Sequence, residues 1–169
     1  NLGGSSTLAS GKTISIGGSG FAADYLTLKS FTQLGSFEQT LSLTGTAVVN
    51  MVNCTFNGNL TVTSPGFLLK NSTFNGVSSF TRTASAGNHQ SDGGNIFNNT
   101  LTIDNAGSSG RIRMSTTTPD IYNGNTTFNS TGGQDFQLCY TGHSYLYGDR
   151  TINSNKVVLN TSNGKVTFA

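Results

Sequence analysis

A short motif, in which an aromatic residue is followed by Asn and then by Gly or Asn, recurs along this chain. Clear copies begin at Phe56, Phe74, Phe97 and Tyr122, and each leads into alternating apolar and polar residues. Internal repeats with periods of about 20 to 50 residues are typical of proteins that stack one structural unit on the next. The repeat therefore predicts a solenoid rather than a closed globule.

Aligning the repeats on their first apolar residue, the anchor, gives three further columns. The anchors are Leu8 (a weak copy), Phe37, Phe56, Phe74, Phe97, Tyr122 and Ile152. Six residues after the anchors from 37 onwards come Leu43, Val62, Phe80, Ile103, Phe128 and Val158. The positions four residues after them hold Leu41, Leu60, Ser78, Leu101, Thr126 and Lys156. This alternation predicts a strand after each anchor. The Asn residues after the anchors predict a ladder of stacked side-chain amides, formed by Asn57, Asn75, Asn98, Asn123 and Asn153.

The shortest repeats fix the size of one turn. Phe56 and Phe74 are 18 residues apart, which suits three short strands joined by three corners. A second apolar stretch, such as Phe67 to Leu69, supplies the third strand. We therefore predict an all-β fold, a single right-handed parallel β-helix of about seven rungs, as one domain over residues 1–169. The extra residues of the longer repeats must leave the coil as loops. We predict these loops at Ala84 to Asn95, Ala106 to Gly110, Ser115 to Asp120 and Thr141 to Arg150.

Composition narrows the possible partners. Only 9% of residues are charged, against roughly 25% in an average globular domain, and the net charge is +2 with no cluster of Lys or Arg. Nucleic acids and anionic lipid surfaces attract basic patches, so neither is expected as a partner. No apolar run approaches the length of a membrane span, so we expect no membrane insertion.

The potential metal and redox ligands are few. Cys54 and Cys139 lie about four rungs apart, which at about 4.8 Å per rung is too far for a disulfide, so we predict two free buried thiols. Together with His89 and His143 they lack the spacing of a zinc site. We predict no metal, no cofactor and no cofactor-binding residue.

The seven acidic residues do not form a recognisable reaction centre. Asp104, Asp120 and Asp135 stand on neighbouring rungs but at different distances from their anchors, so convergence is not implied. We predict no catalytic residue and no enzymatic activity, and a polysaccharide-active β-helix enzyme stays as an alternative. The segment Asp92-Gly93-Gly94-Asn95 is similar to one calcium-binding β-roll repeat but occurs once.

The segment from Cys139 to Arg150 is the richest in aromatic and polar side chains. Tyr145, Tyr147 and Asp149 could stack on a sugar ring and bond its hydroxyls, which makes them our candidate glycan contact. The other interpretation is that the aromatic residues cover the core.

Small hydroxyl residues alternate on the predicted outer face of the strands that follow the anchors. The pairs are Ser42/Thr44, Thr61/Thr63, Ser79/Thr81, Thr102/Asp104 and Thr127/Asn129. Ice-binding solenoids present such ladders, although Thr is also favoured on any exposed strand and the second member becomes Asp or Asn after three rungs. Ice binding is therefore a further alternative function.

Several of these phrases resemble a known class of protein. Thr55 to Thr63, Ile96 to Asn105 and Ile121 to Gly132 are similar to the degenerate repeats of very long secreted surface proteins of Bacteroidota, including gliding-motility adhesins exported by the type IX system. The likeness spans roughly residues 36 to 169. It implies a non-enzymatic structural and adhesive filament or stalk at the cell surface, which contacts surfaces or glycans. Similar rungs also occur in phage fibres, and a phage fibre stays as an alternative function.

The last residues suggest how such a unit continues. Val166 and Phe168 alternate with polar residues as in the other strands, and no polar cap follows them. We expect the chain to be part of a longer array or filament, whose partners are adjoining β-helix rungs or subunits stacked end to end.

Overall fold

The chain winds into a parallel β-solenoid in which every described strand pairs with the strand one turn away. The computed structural model describes residues 6–13, 15–16, 25–84, 87–132, 135–154, 157–159 and 163–169. These contain 22 strands and no helix. The strands recur in groups of three, which gives seven turns and the first strand of an eighth. The prediction of an all-β parallel solenoid is confirmed.

Each turn contributes one strand to each of three faces. The first face is an eight-stranded sheet of β1 (Ser6–Leu8), β4 (Phe31–Gln33), β7 (Thr55–Phe56), β10 (Thr73–Phe74), β13 (Ile96–Phe97), β16 (Asp120–Tyr122), β19 (His143–Leu146) and β22 (Lys165–Phe168). The second is a seven-stranded sheet of β2 (Ser15–Ile16), β5 (Gln39–Ser42), β8 (Leu60–Ser64), β11 (Ser78–Arg82), β14 (Leu101–Asn105), β17 (Thr126–Asn129) and β20 (Arg150–Asn153).

The third face is divided into two sheets. The first three turns form a sheet of β3 (Tyr25–Lys29), β6 (Val48–Val52) and β9 (Gly66–Lys70). The later turns form a sheet of β12 (His89–Gln90), β15 (Ile112–Arg113), β18 (Phe136–Gln137) and β21 (Val157–Val158). Between β9 and β12 only an isolated bridge from Lys70 to Gly93 continues the pairing.

An aromatic column runs through the core beneath the eight-stranded sheet. Phe56, Phe74, Phe97 and Tyr122 are paired in register, and their neighbouring rings stack at centroid distances of 5.8, 4.9 and 5.1 Å. A second column, which includes Phe80, meets it edge-on from the seven-stranded sheet. Since each ring is buried mainly by the turns above and below it, the register of the strands decides the stability of the stack. These four anchors are confirmed.

The two outer anchors of the prediction are wrong. Phe37 is 51% exposed, because the corner between β4 and β5 is two residues longer than the corner between β7 and β8. In that turn the position in register with Phe56 is occupied by Gln33 instead. Ile152 lies in β20 and pairs with Phe128 of the second column, while Leu146 in β19 is the true anchor of that turn.

The two errors in the anchors also displace the residues predicted four and six positions after them. Leu41, not Leu43, pairs with Val62, and the last strand of the seven-stranded sheet contributes Ile152 rather than Val158. Gln39, not Leu41, pairs with Leu60, and Lys156 lies outside the described residues.

The predicted loops are only partly confirmed. Residues 106–111 and 114–119 connect strands as loops or corners. The predicted loop from Thr141 to Arg150 is wrong, because it contains β19, whose Leu146 and Ser144 point into the interior. The predicted loop from Ala84 to Asn95 likewise contains β12.

The Asn-Gly corner owes its glycine to close stacking. A Cβ on Gly76 would lie 2.3 Å from the backbone of Gly58, and one on Gly124 would lie 2.3 Å from Asn99. Left-handed backbone is found instead at the corner before the eight-stranded sheet, at Ser30, Asn53, Asn71 and Ser115.

Candidate functional surfaces

The outer side of the seven-stranded sheet carries a hydroxyl on every strand whose side chains are described. Its main column consists of Thr40, Thr61, Ser79, Thr102, Thr127 and Thr151, and Ser15 occupies the same register position on β2. A parallel column two residues further along the strands consists of Ser42, Thr63, Thr81, Asp104, Asn129 and Asn153. We call the two columns the hydroxyl face.

The hydroxyl face corrects one predicted pair. The second turn presents Thr40 and Ser42 rather than Ser42 and Thr44, because these two residues pair with Thr61 and Thr63 of β8. The main column does not change to Asp or Asn along its length, and only the second column does. The regular pairing places equivalent side chains about 4.8 Å apart from strand to strand. The face is therefore a lattice of small polar groups.

Most side chains of the hydroxyl face are uncharged, and several of their hydroxyls can form further hydrogen bonds. Thr61 donates to Glu38 at 3.2 Å, and Asp104 accepts from Thr131 at 3.1 Å. Within the described part of the chain, the side-chain hydroxyls of Ser79, Thr102 and Thr127 make no hydrogen bond to protein. A hydroxyl both donates and accepts, so each of these groups can bond a ligand or an ordered water.

A ladder of side-chain amides runs along the corner between the first two faces. Asn75 donates to Asn57, Asn98 to Asn75 and Asn123 to Asn98, each at 2.7 Å. This confirms four of the five predicted members, and Asn98 and Asn123 are exposed rather than interior. Asn153 is not a member, since it bonds Asn129 at 3.0 Å on the hydroxyl face. Tyr147 takes the next place in the corner.

The candidate glycan residues lie on a strand and a corner, not on a projecting loop. Tyr145 is in β19, where it faces outward beside Ile121 and stacks on the His143 ring at 5.8 Å. Tyr147 follows at the corner and is 52% exposed. Asp149 is exposed, and its backbone N–H donates to the side chain of Asn125 at 3.0 Å. Their role in binding stays a prediction.

The three carboxylates on neighbouring rungs occupy different environments. Asp104 is on the hydroxyl face, whereas Asp135 pairs with Arg111 at 3.2 Å at the third face. Asp120 is fully buried inside the coil, and desolvation raises its pKa to about 6 although Ser115 and Asn95 donate hydrogen bonds to it. The described residues contain no group of three or more His, Cys, Asp and Glu side chains suited to a metal ion.

The segment from Asp92 to Asn95, which is similar to a calcium-binding repeat, makes its contacts within the protein. The carboxylate of Asp92 forms an ion pair with Lys70 at 2.7 Å, and its backbone carbonyl accepts hydrogen bonds from Thr117 and Thr118. Gly93 continues the strand pairing from Lys70 to Thr118. The geometry of this segment is explained by its structural contacts.

Both cysteines are free and buried, as predicted. The Cys54 thiol donates to the Leu28 carbonyl at 3.3 Å, and the Cys139 thiol donates to the Lys165 carbonyl at 3.1 Å. Burial raises the pKa of both thiols, that of Cys139 to about 11. Because the thiolate is the reactive form, these cysteines are suited to packing rather than to nucleophilic chemistry.

The sequence does not predict the environments of two charged or titratable groups, the buried Arg82 and the half-buried His89. The Arg82 guanidinium is buried and donates to the side chain of Asn105 and to the carbonyls of Ser109 and Gly87, all within 2.8–2.9 Å. The His89 ring occupies the space where a side chain on Gly66 would be. The strand alternation marks Arg82 as inward-facing, but nothing in the sequence indicates its partners.

Comparisons with protein-family models, curated protein sequences and solved structures returned no match. Among the described residues there is no helix of the length and apolar character that a membrane span requires.

Proposed function

We propose that this chain is a non-enzymatic structural and adhesive segment of an extracellular surface protein, and that it contacts neutral glycans or similar hydroxyl-rich surfaces. The observation that carries the proposal is the unbroken hydroxyl column from Thr40 to Thr151 on the outer side of the seven-stranded sheet. The location outside the cell rests on the resemblance of the repeats to secreted adhesins.

The shape of the hydroxyl face suits an extended partner. Its strands are held in register by backbone pairing from β2 to β20, so the face spans about 29 Å along the solenoid axis. Such a surface contacts many equivalent groups at once, and many weak contacts add up when the partner also repeats. An extended, rigid face is therefore more useful for adhesion to a polymer or a surface than for binding one small molecule.

The chemistry of the hydroxyl face points to a neutral partner. Asp104 is the one charged side chain among the described members of the two columns. Glycans offer hydroxyls that donate and accept, which complements threonine and serine hydroxyls and the nearby asparagine amides. Tyr145 lies on the outer side of β19 in the eight-stranded sheet, and Tyr147 and Asp149 lie at the corner that leads from β19 to the hydroxyl face. We propose these three residues as an additional contact that stacks on sugar rings.

The test is cosedimentation of the purified chain with insoluble neutral polysaccharides. We expect binding that is weakened by the double substitution of Thr61→Lys and Thr102→Lys, which places two bulky charges on the hydroxyl face. The matched control is Thr32→Lys with Thr73→Lys, which adds the same charge at the same strand separation on the eight-stranded sheet. Equal binding by the two variants would contradict the use of this face.

Ice binding is the second candidate, because the main hydroxyl column is continuous and a second column accompanies it. Two parallel rows of threonine on three successive strands, β8, β11 and β14, come closest to a lattice, although Ser79 and Asp104 interrupt it. Measurable thermal hysteresis that disappears in the Thr61→Lys, Thr102→Lys variant would favour this function over glycan adhesion. An absence of thermal hysteresis in the unmodified chain would exclude ice binding.

A further inference from the structure

The third face carries a cleft at the place where its sheet is interrupted. The backbone N–H of Leu69 bonds the Ser91 side-chain hydroxyl at 3.0 Å instead of a strand carbonyl, and β12 pairs with β15 rather than with β9. The interruption leaves a cleft of about 210 Å³ on the outer side of β6 and β9. This cleft is on a different face from the hydroxyl face.

The floor of the cleft is apolar, and its rim carries groups that both donate and accept. Leu68 and Val52 contribute the apolar surface, and the side-chain amides of Asn50 and Gln90 line its sides. In the described structure neither amide makes a hydrogen bond to protein. Each has two donor hydrogens and an acceptor oxygen available to a ligand.

The charged groups at the cleft compensate each other. Lys70 and Asp92 form an ion pair at 2.7 Å, with side chains 49% and 43% exposed. The lining therefore has no net charge, and neither a free anion nor a free cation gains much by entering. Lys70 has further N–H groups, and Asp92 has a second carboxylate oxygen, both of which can bond ligand hydroxyls.

We propose that this cleft binds a single neutral sugar residue, with one face of the ring on Leu68 and Val52 and its hydroxyls bonded by Asn50, Gln90 and the Lys70–Asp92 pair. Small-molecule sites combine an apolar lining with a few convergent polar groups. At about 210 Å³ the cleft is smaller than the roughly 300–1,000 Å³ of drug-sized sites, which suits one ring rather than an oligosaccharide. The proposal is independent of the hydroxyl face and adds a further, smaller glycan site.

The test is a titration of the isotope-labelled protein by two-dimensional NMR. The probes are the methyl glycosides of glucose, galactose, mannose and N-acetylglucosamine, with glucuronate as a charged comparison. We expect at least one neutral glycoside to shift the backbone amides of Leu68, Lys70, Gln90 and Asp92. Shifts with glucuronate alone, or no shift in the cleft with any neutral probe, would overturn the proposal.

Variants separate this site from the hydroxyl face. Asn50→Ala with Gln90→Ala should weaken binding about tenfold, since each lost hydrogen bond weakens binding by roughly twofold to tenfold. Leu68→Phe fills the floor and should abolish binding, and the NMR spectrum itself reports whether each variant folds. In the Thr61→Lys, Thr102→Lys variant the glycoside should shift the backbone amides of the cleft as in the unmodified chain. Unchanged affinity in both cleft variants would contradict the site even if polysaccharide adhesion were observed.

Discussion

The carboxylate of Asp120 accepts hydrogen bonds from both the backbone N–H and the side-chain amide of Asn95, at 2.8 and 2.9 Å. The Ser115 backbone N–H and hydroxyl donate to the other oxygen at 3.1 and 2.7 Å. The carboxyl group thus links two successive turns and a left-handed corner inside the coil. Four donors favour the ionised form, but complete burial opposes it more strongly and raises the pKa from 3.8 to about 6.

Asp120 should make the protein more stable as the pH falls. Since its pKa is raised on folding, its contribution is fully present below pH 3.8 and is lost as the pH rises through about 6. The shift corresponds to about 3 kcal/mol. The free energy of unfolding of the unmodified chain, measured against that of Asp120→Asn across this range, should fall with rising pH. A difference that is constant with pH would contradict a raised pKa.

His89 should have the opposite effect over an overlapping range. Burial, with a smaller contribution from the charge on Arg82, lowers its pKa from 6.5 to about 4. Its contribution is present above pH 6.5 and is lost as the pH falls through about 4. His89→Asn should remove this loss from denaturation curves, whereas His143→Asn, on the outer side of β19, serves as the matched control. Identical pH profiles for the two variants would argue against a lowered pKa of His89.

Two phenylalanines that look alike in the repeat should contribute very differently to the free energy of unfolding. Phe74 is fully buried between the rings of Phe56 and Phe97, so Phe74→Ala should cost about 3–5 kcal/mol in chemical denaturation. Phe37 is 51% exposed, and Phe37→Ala should cost less than about 1 kcal/mol. Comparable losses for the two substitutions would mean that the register of the second turn is wrong.

The contrast between these residues shows how far the sequence predicts the fold. Phe56, Phe74, Phe97 and Tyr122 were identified because each begins a corner of the same length. Phe37 was misplaced because two extra residues lengthen its corner, and alternation alone cannot show where in a corner an insertion lies. In β5 the displacement is two residues, which keeps each side chain of the strand on its proper face, so the apolar pattern gives no warning.

The missed anchor Leu146 did leave a signal in the sequence. Leu146-Tyr147-Gly148-Asp149 keeps the glycine two residues after the anchor, and a Cβ on Gly148 would lie 2.5 Å from Gly124 of the preceding turn. The replacement of the usual asparagine by Tyr147 concealed the match. The corners that carry a glycine share the close approach of the backbones of successive turns.

The candidate surfaces were less predictable than the fold. The hydroxyl face follows from strand alternation, so its residues could be identified once the register was known. The cleft beside Leu68 arises from an interrupted sheet, in which β12 pairs with β15 rather than with β9, and the repeat pattern does not show this interruption. The environments of Arg82 and Asp120 depend on partners more than 20 residues away in the chain, which no local pattern specifies.

The most direct test of the proposed function is the amount of protein that cosediments with an insoluble neutral polysaccharide, compared between the two double-lysine variants. We expect the unmodified chain and the Thr32→Lys, Thr73→Lys control to bind equally. Thr61→Lys with Thr102→Lys should bind several-fold less, because charged side chains interrupt the hydroxyl column. Equal binding by all three proteins, or no binding by the unmodified chain to any neutral polysaccharide tested, would contradict it.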